Sequence, residues 1–454
     1  MSLPVPSRAR RAVARCVVAF AALVASVSAP ARLVVMHGYA DVTSALVWIQ
    51  ADAPGPVVVS WHPSSGAGAQ RLELDARAAN DNVVVARLTG LVPGEVSDYS
   101  VVAGGETRAG TVRAQPWWQQ AAAAQDITIA LGSCYFLADA DRRWPGQDYG
   151  DGFGIFDAIA ARKPDLMLWL GDNLYFQRPD FFDPASLAAR HRRQRGYEPL
   201  QGLLAAAPQL AIWDDHDYGP NDSDASYVLK GETLKLFQRY WPNPSFGLPD
   251  VPGVFGHAQW GDVHLFLLDD RYHRSPDKWP EGADKTMFGA RQLDWLKQAL
   301  TYAPRTALKI VAGGNQFWNR ANRFEGWNRY ATEQKGFAEW LLARRIEGVV
   351  FVSGDRHFGE LLKVERPGAY PIYEFTSSPL TSRPPARIDN AERDNPDLVP
   401  GTLAVKRQFG IIEVKGAGNA RRVAFAAYDG EGALLWRHEI ALSDLRFPAA
   451  RNGK

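Results

Sequence analysis

Along residues 31–115 apolar and polar positions alternate in short runs. ALVWIQ, VVVSWH, RLELDA, NVVVARL, DYSVVAG and TRAGTVRA each carry a period of two, with Gly, Pro and Asp turns between them. Closely spaced short strands of this kind predict a small antiparallel β-sandwich over 30–115. PWWQQAAAAQ (116–125) reads as a linker. From 126 the pattern changes to continuous apolar runs that alternate with stretches of helical period. DITIALGSC precedes a helix over 153–163, PDLMLWLGD precedes helices near 186–195 and 200–207, and QLAIWDD precedes one over 232–241. DVHLFLLDD is followed by a helix over 289–303, ALKIVAGGN by one over 332–346, and GVVFVSGDRH closes the series. Leu293, Leu296 and Leu300 share one helix face, as do Phe337, Trp340 and Leu341. Fully apolar strands with helices between them predict a layered α/β sheet covered on both faces over 126–445. After 370 the chain returns to strands: PIYEFTSS, FGIIEVK, RRVAFAAYD and ALLWRHEIAL. Between them 384–400 reads as a polar loop.

The first 29 residues read as an address. RARRAVAR (8–15) is a basic stretch, and CVVAFAALVASVSA (16–29) is an apolar run ending in small residues, with Val27-Ser28-Ala29 as a cleavage site. The run is shorter than the ~20 residues a spanning helix needs, so it predicts a signal peptide and a periplasmic or secreted protein. Arg10-Arg11 admits a twin-arginine signal beside the general route. No later run is long enough to span a bilayer.

The formal net charge of the 454 residues is +1, which gives no field to recruit nucleic acid or an anionic membrane. With two cysteines, Cys16 and Cys134, a disulfide scaffold is excluded. Removal of the signal would leave Cys134 as the lone thiol in an oxidising compartment, where an unpaired thiol needs a purpose.

The candidate chemistry lies where strands end. GSCYF (132–136), GDNLY (171–175), WDDHDYGPND (213–222), GGNQFW (313–318) and SGDRHFGE (353–360) follow five predicted strands at their C-terminal ends, the edge at which open α/β sheets bind ligands. Acids gathered there repel one another unless a cation neutralises them, and Asp, His, Asn, Tyr and Cys together make a set of metal donors. Asp172 and Tyr175 are one helical turn apart. Asp355 and His357 share a face if their backbone is extended. Asp214 or Asp217 can hold the ring of His216. Arg271, in LLDDRYHR, offers a planar fork for phosphate, with a salt bridge to Asp269 or Asp270 as the alternative.

SCY, GDNLY, WDDHD and GDRH, in this order, resemble the alkaline phosphatase D (PhoD-like) family of metallophosphoesterases. The run LTGLVPGEVSDYSVV also resembles a corner of fibronectin type III domains. The family resemblance implies an α/β/β/α catalytic sandwich behind the small β-domain. It implies a metal-dependent phosphoric ester hydrolase, a phosphomonoesterase or phosphodiesterase acting through metal-activated water. By that resemblance Cys134, Asp172 and Tyr175 bind a first metal. Asp172 bridges to a second, joined by Asp215, Asn315 or Gln316, and Asp355. His357 sits at the metal pair and His216 beside the substrate. Asp148 and Asp151 both qualify as a further ligand, with Asp151 preferred for its distance from Asp172. Thiolate with phenolate implies Fe³⁺, and an oxygen-rich second site favours Ca²⁺ over Zn²⁺. Mn²⁺ remains open. Two other readings stand beside it: a phospholipase-type phosphodiesterase on lipid headgroups, and a Ca²⁺-dependent surface-binding protein without turnover.

Overall fold

The computed structural model describes residues 33–63, 68–118, 124–138, 150–303 and 307–448. The predicted signal and Asp148 lie outside the described residues.

Seven antiparallel strands form two sheets. The first orders β1 (Val34–Ala40), β2 (Ser44–Gln50) and β5 (Val83–Thr89). The second orders β4 (Gln70–Ala76), β3 (Gly55–His62), β6 (Val96–Ala103) and β7 (Glu106–Arg113). Alternation sends Val47, Ile49, Val57, Val59, Ala86, Leu88, Tyr99 and Val101 into the space between them. The strand missed in sequence is β1, whose burial is nearly continuous because it lies against the larger sheet region beyond. Asp81 anchors that contact, accepting from Arg192 at 2.7 Å and Arg239 at 2.6 Å.

The rest of the chain builds two facing six-stranded sheets. One orders β10 (Gln209–Ile212), β9 (Leu166–Leu170), β8 (Ile127–Gly132), β17 (Gln408–Lys415), β18 (Arg422–Asp429) and β19 (Leu434–Ala441). The other orders β11 (Gly256–Trp260), β12 (Val263–Leu267), β13 (Leu308–Ala312), β14 (Val349–Ser353), β16 (Ile372–Thr376) and β15 (Glu360–Val364). Ile129, Leu131, Leu168 and Ile212 face Leu265, Ile310 and Val352 between the sheets. On the outer face of the first sheet, α1 (Ile155–Ala161) and α3 (Gln201–Ala206) cover Met167 and Trp169, and α2 (Pro184–Arg195) and α5 (Lys230–Tyr240) pack into the same core. On the other, α6 (Ala290–Tyr302) and α7 (Ala331–Ala343) cover Phe266, Val311 and Phe351. This is an α/β/β/α sandwich.

Strands β8, β9 and β10 run parallel, as do β12, β13, β14 and β16. Parallel pairing puts their C-terminal ends at one edge, so the five polar clusters converge there. Two short helices appear where the sequence predicts loop: α4 (Asp215–Tyr218), inside the acidic run, and α8 (Asn390–Arg393), in 384–400. Each is a single turn, too short for hydrophobic periodicity to register.

Candidate active site

The turns that leave the strands are unusually bent. Cys134, Asp172, Asp355 and His357 all have positive φ, between 51° and 65°. Non-glycine residues rarely hold this conformation, and it clusters at functional sites. The Asp355–His357 segment is therefore left-handed at both residues, not extended as its spacing suggested. The glycines ahead of the acids make room for the turns. Gly171 has φ 86°, and a Cβ there would lie 2.6 Å from Asp214 Cβ; one on Gly354 would lie 2.5 Å from the Leu170 carbonyl oxygen.

These turns bring distant groups into contact. Cys134 Sγ lies 3.5 Å from Asp172 Oδ2, and the Tyr175 hydroxyl lies 3.2 Å from the same oxygen. Tyr175 is also 3.2 Å from His357 Nε2, while His357 Nδ1 sits 2.9 Å from the Arg383 carbonyl. A carbonyl only accepts, so Nδ1 carries the proton and Nε2 is left bare toward Tyr175. Donor atoms of Cys134, Asp172 and His357 lie within 4.8 Å of one another, and so do those of Asp172, Asp215 and His216. Asp172 belongs to both groups. A third group joins Asp215, Asp222 and Glu325 at the same spacing.

Burial and mutual repulsion strain these ionisations. Asp172 is held well above the usual carboxylate range, first by burial and then by Cys134, Asp215, Asp217 and Asp355. Burial pushes the Cys134 thiol up to about 11 and Asp355 up to about 6. It also raises Tyr175, with Asp172 adding to the effect. Burial acts on Asp215 too, but His216 and Arg271 outweigh it and keep this carboxylate low. Burial, opposed by Asp215 and reinforced by His357 and Arg271, lowers His216. A buried set of acids, thiol and phenol that resists ionisation is the electrostatic signature of a cation seat.

Other predicted site residues are placed differently. Arg271 is fully buried, and its fork is closed by Asp214 (Nε to Oδ1, 2.7 Å), Glu325 (2.9 and 2.7 Å) and the Ser223 carbonyl (3.2 Å). It therefore presents no face to phosphate, and its main partners are not Asp269 or Asp270. The Asn315 amide donates to Asp214 at 3.1 and 2.9 Å, and its oxygen accepts from Arg274 at 2.8 Å. The Gln316 amide donates to Glu360 and Thr376, and its oxygen accepts from Asn319 and Asn322. Both amides thus serve the polar scaffold behind the cluster. The ring of His216 is held by neither Asp214 nor Asp217. Asp214 faces Arg271 and Asn315, while Asp217 accepts from the backbone of Asp172, Asn173 and Asp214. The His216 ring instead lies against Tyr175, with centroids 4.2 Å apart. Asp151 is exposed and joins none of the three groups.

Sequence reasoning missed Asp222 and Glu325. Asp222 has φ 59° in the loop after α4, and its amide donates to Asp215 at 2.8 Å. The GPND run that ends the acidic motif was the available signal. Glu325 sits in NRFEGWN, an ordinary loop in sequence, and only the buried pair Arg271 and Arg274 marks it.

A model of the PhoD-like phosphatases matches residues 140–424. The chain belongs to the PhoD-like phosphatase family. Its fold is similar to that in "Structure of PhoD", with a TM-score of 0.72 and 17% identity, over 92% of each chain. It is also similar to purple acid phosphatase PPD1 from yellow lupin (Lupinus luteus) seeds, with a TM-score of 0.62 and 10% identity, over 94% of this chain and 78% of that one. No curated protein matches the chain in sequence. As a PhoD-like phosphatase the protein is a metal-dependent phosphoric ester hydrolase.

Proposed function

We propose that this PhoD-like phosphatase hydrolyses phosphomonoesters and phosphodiesters outside the cytoplasm at a pair of cation seats that share Asp172. The observation that carries the reading is that Asp172 belongs to both donor groups, one with Cys134 and His357, the other with Asp215 and His216. Cys134, Asp172, Tyr175 and His357 form the first seat, whose sulfur, phenolic and imidazole donors suit iron. Asp172 and Asp215 supply the carboxylates of the second, with the His216 ring as the third member of that group and Asp355 among the acids that act on Asp172, and carboxylate oxygens suit Ca²⁺. Cations held there would neutralise phosphoryl oxygens and acidify a water molecule.

The residues around the seats do the positioning. The Arg383 carbonyl fixes the tautomer of His357. Arg271 and Asn315 clamp Asp214, and with it the turn that carries Asp215 and His216. Asp217 ties the Asp172 turn to the same segment through two backbone amides. His216 is the proton donor or charge partner for the departing oxygen. The basic-then-apolar pattern of residues 8–29 supports export.

The test is release of nitrophenol and of inorganic phosphate from mono- and diester substrates by protein loaded with iron and calcium, with both metals counted per chain. Turnover that collapses on chelation and returns with metal is expected. Undiminished turnover by stripped protein, or by Asp172→Asn, would overturn the shared-carboxylate reading.

A further inference from the structure

The segment after β16 runs back beneath the first donor group and is laced to the turn of Cys134. The Leu380 amide donates to the Ser133 carbonyl at 2.8 Å, and the Thr381 and Ser382 amides donate to the Cys134 carbonyl at 3.3 and 3.1 Å. Gln408 Nε2 holds the Ser378 carbonyl from the far side at 2.9 Å.

Two hydroxyls on this strap meet the sulfur and the phenolic oxygen of the first donor group. Ser378 Oγ accepts from the His357 amide at 3.0 Å and lies 3.2 Å from Cys134 Sγ. A serine hydroxyl has one proton. With its oxygen already accepting from His357, that proton points to the sulfur. Ser133 Oγ is also near the sulfur at 3.5 Å, but the Ser377 carbonyl is closer at 3.0 Å and takes its proton. Ser382 Oγ donates to the Tyr175 oxygen at 3.1 Å. Ser378 is 0% exposed and Ser382 1% exposed, so water does not compete for either bond. Ser378 follows β16 by two residues, and Ser382 lies four residues further along the strap.

We propose that Ser378 and Ser382 are positioning residues that direct hydroxyl protons onto the Cys134 sulfur and the Tyr175 oxygen, and so set the electronic character of a metal held by those atoms. The proposal rests on reading Cys134 and Tyr175 as ligands. Hydrogen bonds to charged acceptors in a dry interior are strong. A donor on a ligating sulfur or phenolic oxygen draws electron density away from the metal, and such bonds are a lever by which proteins tune metal centres. Lowering the filled ligand orbital raises the energy of charge transfer to ferric iron. Ser378 also couples this tuning to the other side of the seat, since the same oxygen receives the His357 amide.

The experiment compares visible spectra of iron-loaded wild type, Ser378→Ala and Ser382→Ala, with iron counted per chain. Each variant is expected to keep its iron while its charge-transfer band moves to longer wavelength, Ser378→Ala through sulfur and Ser382→Ala through the phenolate. Unshifted bands with iron retained would overturn the proposal. If Ser378→Ala does not take up iron, Ser382→Ala decides, and an unshifted band there overturns it. A wild-type iron protein with neither a thiolate nor a phenolate band would instead overturn the ligand reading, and the proposal with it.

Discussion

The Tyr175 hydroxyl lies 3.2 Å from His357 Nε2 across 182 residues of chain. One comes from the turn after β9 in the first large sheet, the other from the turn after β14 in the second. Their meeting closes the first donor group across the gap between the sheets. The opposite nitrogen of His357 is fixed on the Arg383 carbonyl, so the ring cannot swing away without losing that bond.

Cys134→Ala should lose both iron and any visible thiolate band. The sulfur is fully buried and its thiol is pushed up to about 11, so without a metal it stays protonated at pH 7. A colourless variant with full iron content and full activity would take Cys134 out of the seat.

Metal binding should weaken as the pH falls and should release protons. Burial and neighbouring acids keep Asp172 protonated well above the usual range, and burial does the same to Cys134. A cation must displace those protons, so affinity rises with pH. Titrating metal into weakly buffered protein and following the pH measures this directly; no proton release would contradict it.

Asp172→Asn should strip both metals and lower kcat by more than the ~100-fold upper range for loss of an outer partner. Asp355→Asn should reduce the content of one metal only. Metal analysis beside kcat separates the two, and equal small losses with both metals retained would contradict the shared role of Asp172.

His216→Ala should keep the fold and both metals while kcat falls by roughly 10²–10⁴. Its ring sits against Tyr175, with neither Asp214 nor Asp217 binding it. The loss should be larger for alkyl phosphates than for nitrophenyl esters, whose leaving group departs without a proton. The same loss on both would assign the ring to charge stabilisation, not proton transfer.

Arg271→Ala should destabilise the protein by about 3–5 kcal/mol, because it leaves Asp214 and Glu325 buried without their partner. The expected readout is the denaturant midpoint. A raised KM with unchanged stability would return Arg271 to the role of a phosphate clamp.

Much was legible in the sequence because it is local. Alternation over six of the seven small-domain strands and continuous apolar runs over β8, β9, β10, β12, β13 and β14 follow from the burial each face receives, and burial dictates residue type. Parallel strands joined by helices must end at one edge, so the polar clusters at 132–136, 171–175, 213–222, 313–318 and 353–360 were bound to converge. Which atom in each cluster faces the centre is not a local property. Asn315 and Asp355 follow strands in the same way, yet Arg274 and Asp214 engage the amide of Asn315, while Asp355 stands among the acids that raise Asp172. Arg271 carried two readings, a phosphate fork or a salt bridge to Asp269 or Asp270, until Asp214 and Glu325, the latter 54 residues away, closed its fork. Glu325, Ser378 and Ser382 lie on loops with no periodicity, and only folding puts them beside the charged groups they meet. Periodicity records which face of an element is buried. A polar atom's partner is chosen by hydrogen-bond geometry between segments far apart in sequence, and that choice exists only in the folded chain.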